Sequence, residues 1–242
     1  MTNTAPSVHL SGAAKLEGRR LFHQLDLAMK AQSWTCLLGS SGVGKTTILR
    51  FIAGLDTAAI FDGHIKASDN QPLAGRIAYM AQTDLLLPWA SVLDNVCLGA
   101  HLRGQPTDKD KAEAIIARVG LDAHKHKKPA TLSGGQRQRA ALARTLMEDR
   151  PIVLLDEPFS ALDARTRSEM QELASEILTG RTILLVTHDP GEAARLGHII
   201  YIMSPQGLET MPNLPPPLPR SFADKDVLTL QSKLLEQLRR IA

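Results

Sequence analysis

The stretch Gly39-Ser40-Ser41-Gly42-Val43-Gly44-Lys45-Thr46 constrains this chain more than any other. It fits the pattern G-x-x-x-x-G-K-[ST] at every fixed position. Its flanks fit as well. Trp34-Thr35-Cys36-Leu37-Leu38 reads as a short buried strand, and Thr47-Ile48-Leu49-Arg50-Phe51-Ile52-Ala53 as the first turns of a helix. A glycine-rich turn between strand and helix lets the backbone close around an anion, with successive N–H groups pointing inward. The positive end of the following helix faces the same anion. Lys45 is then placed to reach the β- and γ-phosphates of a nucleotide, and the Thr46 hydroxyl to ligate Mg²⁺.

Bulk properties narrow the partners. A chain of 242 residues makes one large domain, or one domain with a subdomain. Its net charge of +3 is too small to argue for nucleic acid. Aromatic residues at 4% argue against a stacking platform for single strands. No stretch approaches 18 uncharged apolar residues, so no membrane span is expected. Residues 1–10 have neither a basic region nor an apolar run, so no signal peptide is expected there. Cys36 and Cys97 sit in apolar contexts and read as buried free thiols of a reducing compartment.

Along the chain, residues 8–38 read as a small β region, and Gly63-His64-Ile65-Lys66-Ala67 alternates like a half-exposed strand. Ile77-Ala78-Tyr79-Met80-Ala81 is a buried strand ending at Gln82. Residues 83–140 lack strands. They hold a helix capped by Ser91 and another over Lys109–Val119 ended by Gly120. An α/β rhythm then returns. Ile152-Val153-Leu154-Leu155 ends in Asp156-Glu157, a helix spans 164–178, and Thr182–Val186 ends in Thr187-His188-Asp189 before a last strand at Ile199–Met203. Strands alternating with helices, each strand ending in polar residues, predict a mainly parallel sheet with ligands at its C-terminal edge. Pro212–Pro219 reads as an extended linker, and Asp226–Ile241 as a helix with Val227, Leu230, Leu234 and Leu238 on one face.

Five further signals carry candidate chemistry. Ser133, Gly134, Gly135 and Gln136 open a helix and make a second anion cradle, with a plain serine cap as the competing reading. Asp156 suits a Mg²⁺ ligand at a strand end. Glu157 can polarise a water for attack on a γ-phosphate. His188 can hydrogen-bond a terminal phosphate or orient that water, and Gln82 can touch Mg²⁺ or water. Each is bland alone. Parallel topology, however, gathers strand C-termini, so the signals can converge.

In this order the motifs resemble those of the nucleotide-binding subunit of an ATP-binding cassette (ABC) transporter. Gly39–Thr46, with Thr47 after it, is similar to the Walker A motif, and Leu132-Ser133-Gly134-Gly135-Gln136 to the signature motif. Ile152–Asp156 with Glu157 resembles Walker B and its catalytic glutamate. Gln82 resembles the Q-loop, Ser160-Ala161-Leu162-Asp163 the D-loop, and His188 the switch histidine. The resemblance implies an α/β phosphate-loop NTPase core with a mainly parallel sheet, a small N-terminal antiparallel β region and an inserted α-helical subdomain at about 83–140. It assigns residues 1–205 to the nucleotide-binding domain and 206–242 to the Pro-rich linker and terminal helix. It implies ATP and Mg²⁺ as cofactors, with catalytic roles for Glu157, His188 and Gln82 and metal ligation by Thr46, Gln82 and Asp156. It also implies a head-to-tail homodimer with two ATPs between the subunits, each held by one Walker A loop and by Ser133, Gly134 and Gly135 of the other subunit. Integral membrane permease subunits are the expected partners, an extracytoplasmic solute-binding protein acts indirectly, and nucleic acid is not expected. The implied location is peripheral, on the cytoplasmic face of the inner or plasma membrane. One departure is visible: Ala13-Ala14-Lys15-Leu16-Glu17 lacks the aromatic residue that stacks on adenine in the family. Leu16 and the less well placed Phe22 are the substitutes on offer.

Leu85-Leu86-Leu87-Pro88-Trp89 after Gln82 resembles importers of the nitrate, taurine and aliphatic-sulfonate class, where such a block docks a membrane subunit. Arg76–Gln82, Leu98-Gly99 and Leu102-Arg103-Gly104 look similar to subunits for uptake of the hydroxymethylpyrimidine precursor of thiamine. A soluble ABC protein acting on ribosomes or DNA is the alternative. Such proteins usually carry two cassettes or a long coiled coil, and this chain shows one cassette and no such insertion.

Overall fold

The computed structural model describes residues 4–241. In chain order these form β1 (Val8–Leu16), β2 (Arg19–Met29), β3 (Trp34–Gly39), α1 (Lys45–Ala53), β4 (Ala59–Ala67) and β5 (Ile77–Met80). The helices α2 (Val92–Val96), α3 (Leu98–Leu102), α4 (Lys109–Arg118) and α5 (Gly134–Met147) follow. The chain then runs through β6 (Ile152–Asp156), α6 (Ala164–Ile177), β7 (Thr182–Val186), α7 (Pro190–Leu196), β8 (Ile199–Ser204), β9 (Gly207–Met211) and α8 (Lys225–Ile241). The described residues make two compact units.

The first unit takes residues 4–77, 151–156 and 180–241. It holds a three-stranded antiparallel sheet of order β2-β1-β4, with Val8 opposite Met29 on one side and Ala67 on the other. Its larger sheet runs β6-β7-β3-β8-β9, parallel except for the last pair. The sixth strand, β5, begins at the edge, where the Ile152 N–H donates to Arg76 O at 3.2 Å, and leads the chain out of the unit. Every residue of β3, β6 and β7 is buried. Helices cover these strands: α1 packs on β6 and β7, and α7 on β3. That is why the strands read as continuous apolar runs, whereas β1 buries Val8 and Leu10 and exposes His9 between them.

The mainly parallel sheet and the small antiparallel sheet match the sequence reading. The tail holds a difference. Beyond Ser204 the chain makes another strand, β9, hydrogen-bonded to β8, and α8 then packs on α7. β9 (Gly-Leu-Glu-Thr-Met) leaves two of its five residues exposed and lacks the apolar run that marked its neighbours. Cys36 is buried, but Cys97 is only half-buried, because it lies at the junction of α2 and α3.

The second unit takes Ala78–Arg150 and Glu157–Thr179. Beyond the end of β5 it is helical, with α5 packed against α2, α4 and α6. Ser91 caps α2 in a reciprocal box with Asp94, and Asp108 and Asp163 cap α4 and α6.

Candidate functional site

In the first unit, β3 ends at Gly39 and α1 starts at Lys45, so residues 40–44 form the turn between strand and helix. A side chain at Gly39 would place its Cβ 2.7 Å from the Met203 carbonyl oxygen of β8. Gly44 has φ +106, a left-handed conformation that side chains oppose, and Leu21 and Phe22 already lie 3.2–3.3 Å from where its Cβ would be. Glycine is therefore forced at both ends of the loop, for different reasons. Lys45 is buried, and its ammonium donates to the carbonyls of Gly39 and Ser40, each at 2.8 Å. The loop thus holds its own cation inside itself. Ser40, Ser41, Gly42 and Thr46 face solvent, Val43 anchors the turn in the core, and Thr47 is half-buried.

The same unit brings two further candidates to this sheet edge. Asp156 closes β6 opposite Val186 of β7, and Val186 lies opposite Leu37 of β3. Asp156 is 1% exposed. The Thr187 N–H donates to Leu37 O at 3.2 Å, and the exposed His188 follows it. The ends of β6, β7 and β3 therefore lie level, as parallel register requires. Thr46 and Asp156 offer hard oxygen donors, and no group of three or more His, Cys, Asp or Glu side chains converges among the described residues. That donor set fits Mg²⁺, which keeps its waters and takes one or two carboxylates together with substrate phosphates.

The second unit brings Gln82 and Glu157 together. Gln82 Nε2 donates to Glu157 Oε2 at 3.3 Å. Glu157 has φ +49, uncommon for a residue with a side chain. Its carbonyl accepts from Gln138 Nε2 (2.9 Å) and Ser160 Oγ (3.0 Å), and the Ala161 N–H donates to Gln138 Oε1 (2.8 Å). Gln138, buried on α5, thus ties that helix to both ends of the turn after Glu157. Sequence reasoning missed it. Its only signal was an amide in the run Gln136-Arg137-Gln138-Arg139, which reads as a polar helix face.

Ser133 and Gln136 form a capping box at the start of α5: the Gln136 N–H donates to Ser133 Oγ (3.2 Å) and the Ser133 N–H to Gln136 Oε1 (2.8 Å). The serine-cap reading is therefore present in the structure. Gly135 lies close to the turn, where its Cβ would meet Ala161 O at 3.3 Å. Gly134 does not, since its Cβ would meet only the far end of Arg137 at 3.9 Å.

Side chains bond the backbone around the Leu-Pro-Trp segment. The buried Asn95 accepts from the Leu87 N–H (2.7 Å) and donates to the carbonyls of Leu87, Ala90 and Ser91. Arg144 donates to the carbonyls of Asp84 and Leu85. Leu86 goes into the core, while Leu85, Trp89 and, on α3, Leu102 are left exposed. In the first unit, Leu16 is 38% exposed at the end of β1 and Phe22 is 1% exposed beneath Gly44. Phe22 is thus a packing residue of the loop, and residues 13–17 themselves carry no aromatic side chain.

A phosphate loop on a parallel sheet, with an acid and a histidine on neighbouring strand ends, defines a phosphate-loop nucleotide-binding protein. The chain belongs to the ABC transporter family, whose model matches residues 22–160, and it is an ATP-binding subunit that hydrolyses ATP for transport. It is 45% identical over 228 residues to an uncharacterized ABC transporter ATP-binding protein of Haemophilus influenzae, covering 91% of this chain and 93% of that one. It is 39% identical over 220 residues to the aliphatic sulfonates import ATP-binding protein SsuB 1 of Rhodococcus jostii, covering 90% and 87%. Among solved structures it resembles the ATP-binding cassette MJ0796, a dimer in a post-hydrolysis state bound to ADP and Pi. The TM-score is 0.73 at 27% identity, over 86% of this chain and 100% of that one.

Proposed function

We propose that the chain powers an importer of small polar nutrients, as a homodimer bound peripherally to permease subunits at the cytoplasmic face of the inner or plasma membrane. Aliphatic sulfonates are the leading substrate class, supported by the SsuB relative. Arg76–Gln82 and Leu98–Gly104 favour hydroxymethylpyrimidine as the second reading. A solute-binding protein outside the cytoplasm would choose the substrate. The exposed Leu85 and Trp89, in a segment whose backbone is bonded by Asn95 and Arg144, support docking of a membrane subunit.

The proposed chemistry is in-line attack of water on the γ-phosphorus. The Gly39–Thr47 loop wraps the phosphates, and Lys45 trades its bonds to Gly39 and Ser40 for phosphate oxygens. Thr46 and Asp156 would hold Mg²⁺, with Gln82 as a further oxygen donor, and the ion would neutralise charge on the β- and γ-phosphates. Glu157 takes the proton of the attacking water as the bond to the β–γ bridging oxygen breaks and ADP leaves. Gln82 orients that carboxylate, and His188 hydrogen-bonds the terminal phosphate. Ser133, Gly134, Gly135 and Gln136 would act on the partner copy's ATP. The open space at Gly134, where a Cβ would meet only the far end of Arg137 at 3.9 Å, supports this last reading.

The test is capture of tagged Glu157→Gln chain from detergent-solubilised native membranes with ATP and Mg²⁺, followed by uptake assays in cells lacking the gene. A polytopic membrane protein in about equal amount is expected, as one permease subunit per ATPase subunit would give. Ribosomal or DNA-bound proteins alone would replace the reading with the soluble ABC alternative. Loss of sulfonate uptake supports the leading substrate class, and loss of hydroxymethylpyrimidine uptake the second.

A further inference from the structure

The turn that carries His188 is hydrogen-bonded into α7. The Asp189 N–H donates to Thr187 Oγ1 (3.0 Å), and that hydroxyl donates to Glu192 Oε2 (2.7 Å). Asp189 caps α7 by accepting from the Gly191 N–H at 2.7 Å. Glu192 lies in the first turn of α7 and is buried, as are Arg195 on the same helix and Arg220 from the Pro-rich tail. Buried charges are retained only when their bonds are made.

Arg220 makes its bonds to the far end of α7. Nη1 donates to the carbonyls of Ala194 (2.7 Å) and Gly197 (2.9 Å), Nε to Pro215 O (3.0 Å), and Nη2 to Leu214 O. The backbone answers in both directions. The Arg220 N–H donates to Arg195 O (3.0 Å), and Arg195 Nε donates to Arg220 O (2.8 Å). The Arg195 guanidinium also stacks over Phe222, 3.4 Å from the ring centroid. Burial pushes the Cys36 thiol of β3 far above its ordinary value; Glu192 raises it further and Arg220 draws it back. α7 has seven residues, too few to be stable alone. It is gripped at its start through Thr187 and Glu192 and at its end through Arg220.

We propose that Arg220 and Glu192 are positioning residues for ATP hydrolysis: the tail grips α7, and α7 sets the turn that presents His188. This rests on the proposed role of His188. Neither residue touches the nucleotide loop in the contacts described, so the effect reaches catalysis through the turn. The tail is on this account a strut rather than a linker.

The test is steady-state ATP hydrolysis by the full chain, with amide hydrogen exchange followed in the peptide that contains Thr187–Gly191. Arg220→Met should lower kcat about tenfold with KM for ATP within about twofold, and should speed exchange in that peptide. Glu192→Met should do the same, and Glu192→Gln, whose carbonyl oxygen still accepts from Thr187, should restore kcat. A folded Arg220→Met chain with unchanged kcat, or a loss confined to KM, overturns the proposal. Where Arg220→Met does not fold, Thr187→Val removes the bonds at the other end of α7, to Glu192 and from the Asp189 N–H, and an unchanged kcat there overturns the coupling of α7 to the turn equally. His188→Ala separates the two readings. If it leaves kcat intact, the role of His188 falls. If it abolishes turnover while Arg220→Met is silent, the role of the tail falls alone.

Discussion

Glu157 sits at φ +49 with its carbonyl bonded by Gln138 and Ser160, and its carboxylate receives a bond from Gln82. Holding a non-glycine residue in that region costs about 1–3 kcal/mol and persists where the surroundings over-determine it. Gln138 is the buried side chain that does so, and it also binds the Ala161 N–H. Replacing it with Leu of similar size leaves polar groups unbonded, for a stability loss of about 1–3 kcal/mol. Gln138→Leu should therefore lower the urea midpoint and reduce kcat, with ATP affinity by calorimetry unchanged; full turnover would show that the turn holds itself. The sequence made Glu157 and Gln82 legible because each follows an apolar run, although β5 ends at Met80 and is buried only at Ala78 and Met80. Gln138 was not legible, because its neighbours in sequence are polar and only the folded turn shows what it meets. A similar limit applies to Ser133 and Gln136, whose box is readable from spacing, whereas the open space at Gly134 is not.

Elements announced themselves in proportion to how strongly burial patterned them. The fully buried β3, β6 and β7 stood out as apolar runs, and α4 and α6 by their caps and helical spacing. β9 was missed because its five residues leave two exposed, and its strand state comes from pairing with β8 rather than from a face of its own. α7 was likewise illegible, being short and held by side chains 25 or more residues away, such as Arg220. The terminal helix α8 was expected to bury Val227, Leu230, Leu234 and Leu238, and it buries the first three while Leu238 is only half-covered near the end. Leu234→Ala should cost about 2–5 kcal/mol in urea unfolding. Leu235→Ala, on the exposed side, should change stability by less than about 0.5 kcal/mol. Equal effects would mean that α8 does not pack through the face seen here.

At the scale of the whole molecule, the fold class and the order of its motifs were readable, because an α/β rhythm and a phosphate loop leave few topologies open. Stability against pH was not, since it depends on contacts between distant segments. His198 Nδ1 accepts from the Trp34 N–H at 3.0 Å, and burial first, then the Arg220 and Lys30 charges, hold its pKa below the ordinary 6.5. The unfolded chain takes up the proton sooner, so this stabilisation is present above about pH 6.5 and is lost as pH falls toward the folded pKa. The urea midpoint should therefore drop between about pH 7.5 and pH 5, and His198→Gln should flatten that drop; an unchanged slope would assign it elsewhere. Assembly is tested by mixing Ser133→Arg with Lys45→Ala chains. Trans pairing leaves one composite site with both motifs and one with neither, so about half the sites should bind ATP; a mixed dimer that binds none would rule trans pairing out. The obstacle at Gly39 has a genetic consequence. The atom that bars a side chain there is a main-chain oxygen of Met203. No second substitution at Met203 removes a carbonyl, so a Gly39→Ala strain selected for regained growth should yield true revertants and no intragenic suppressor at that contact.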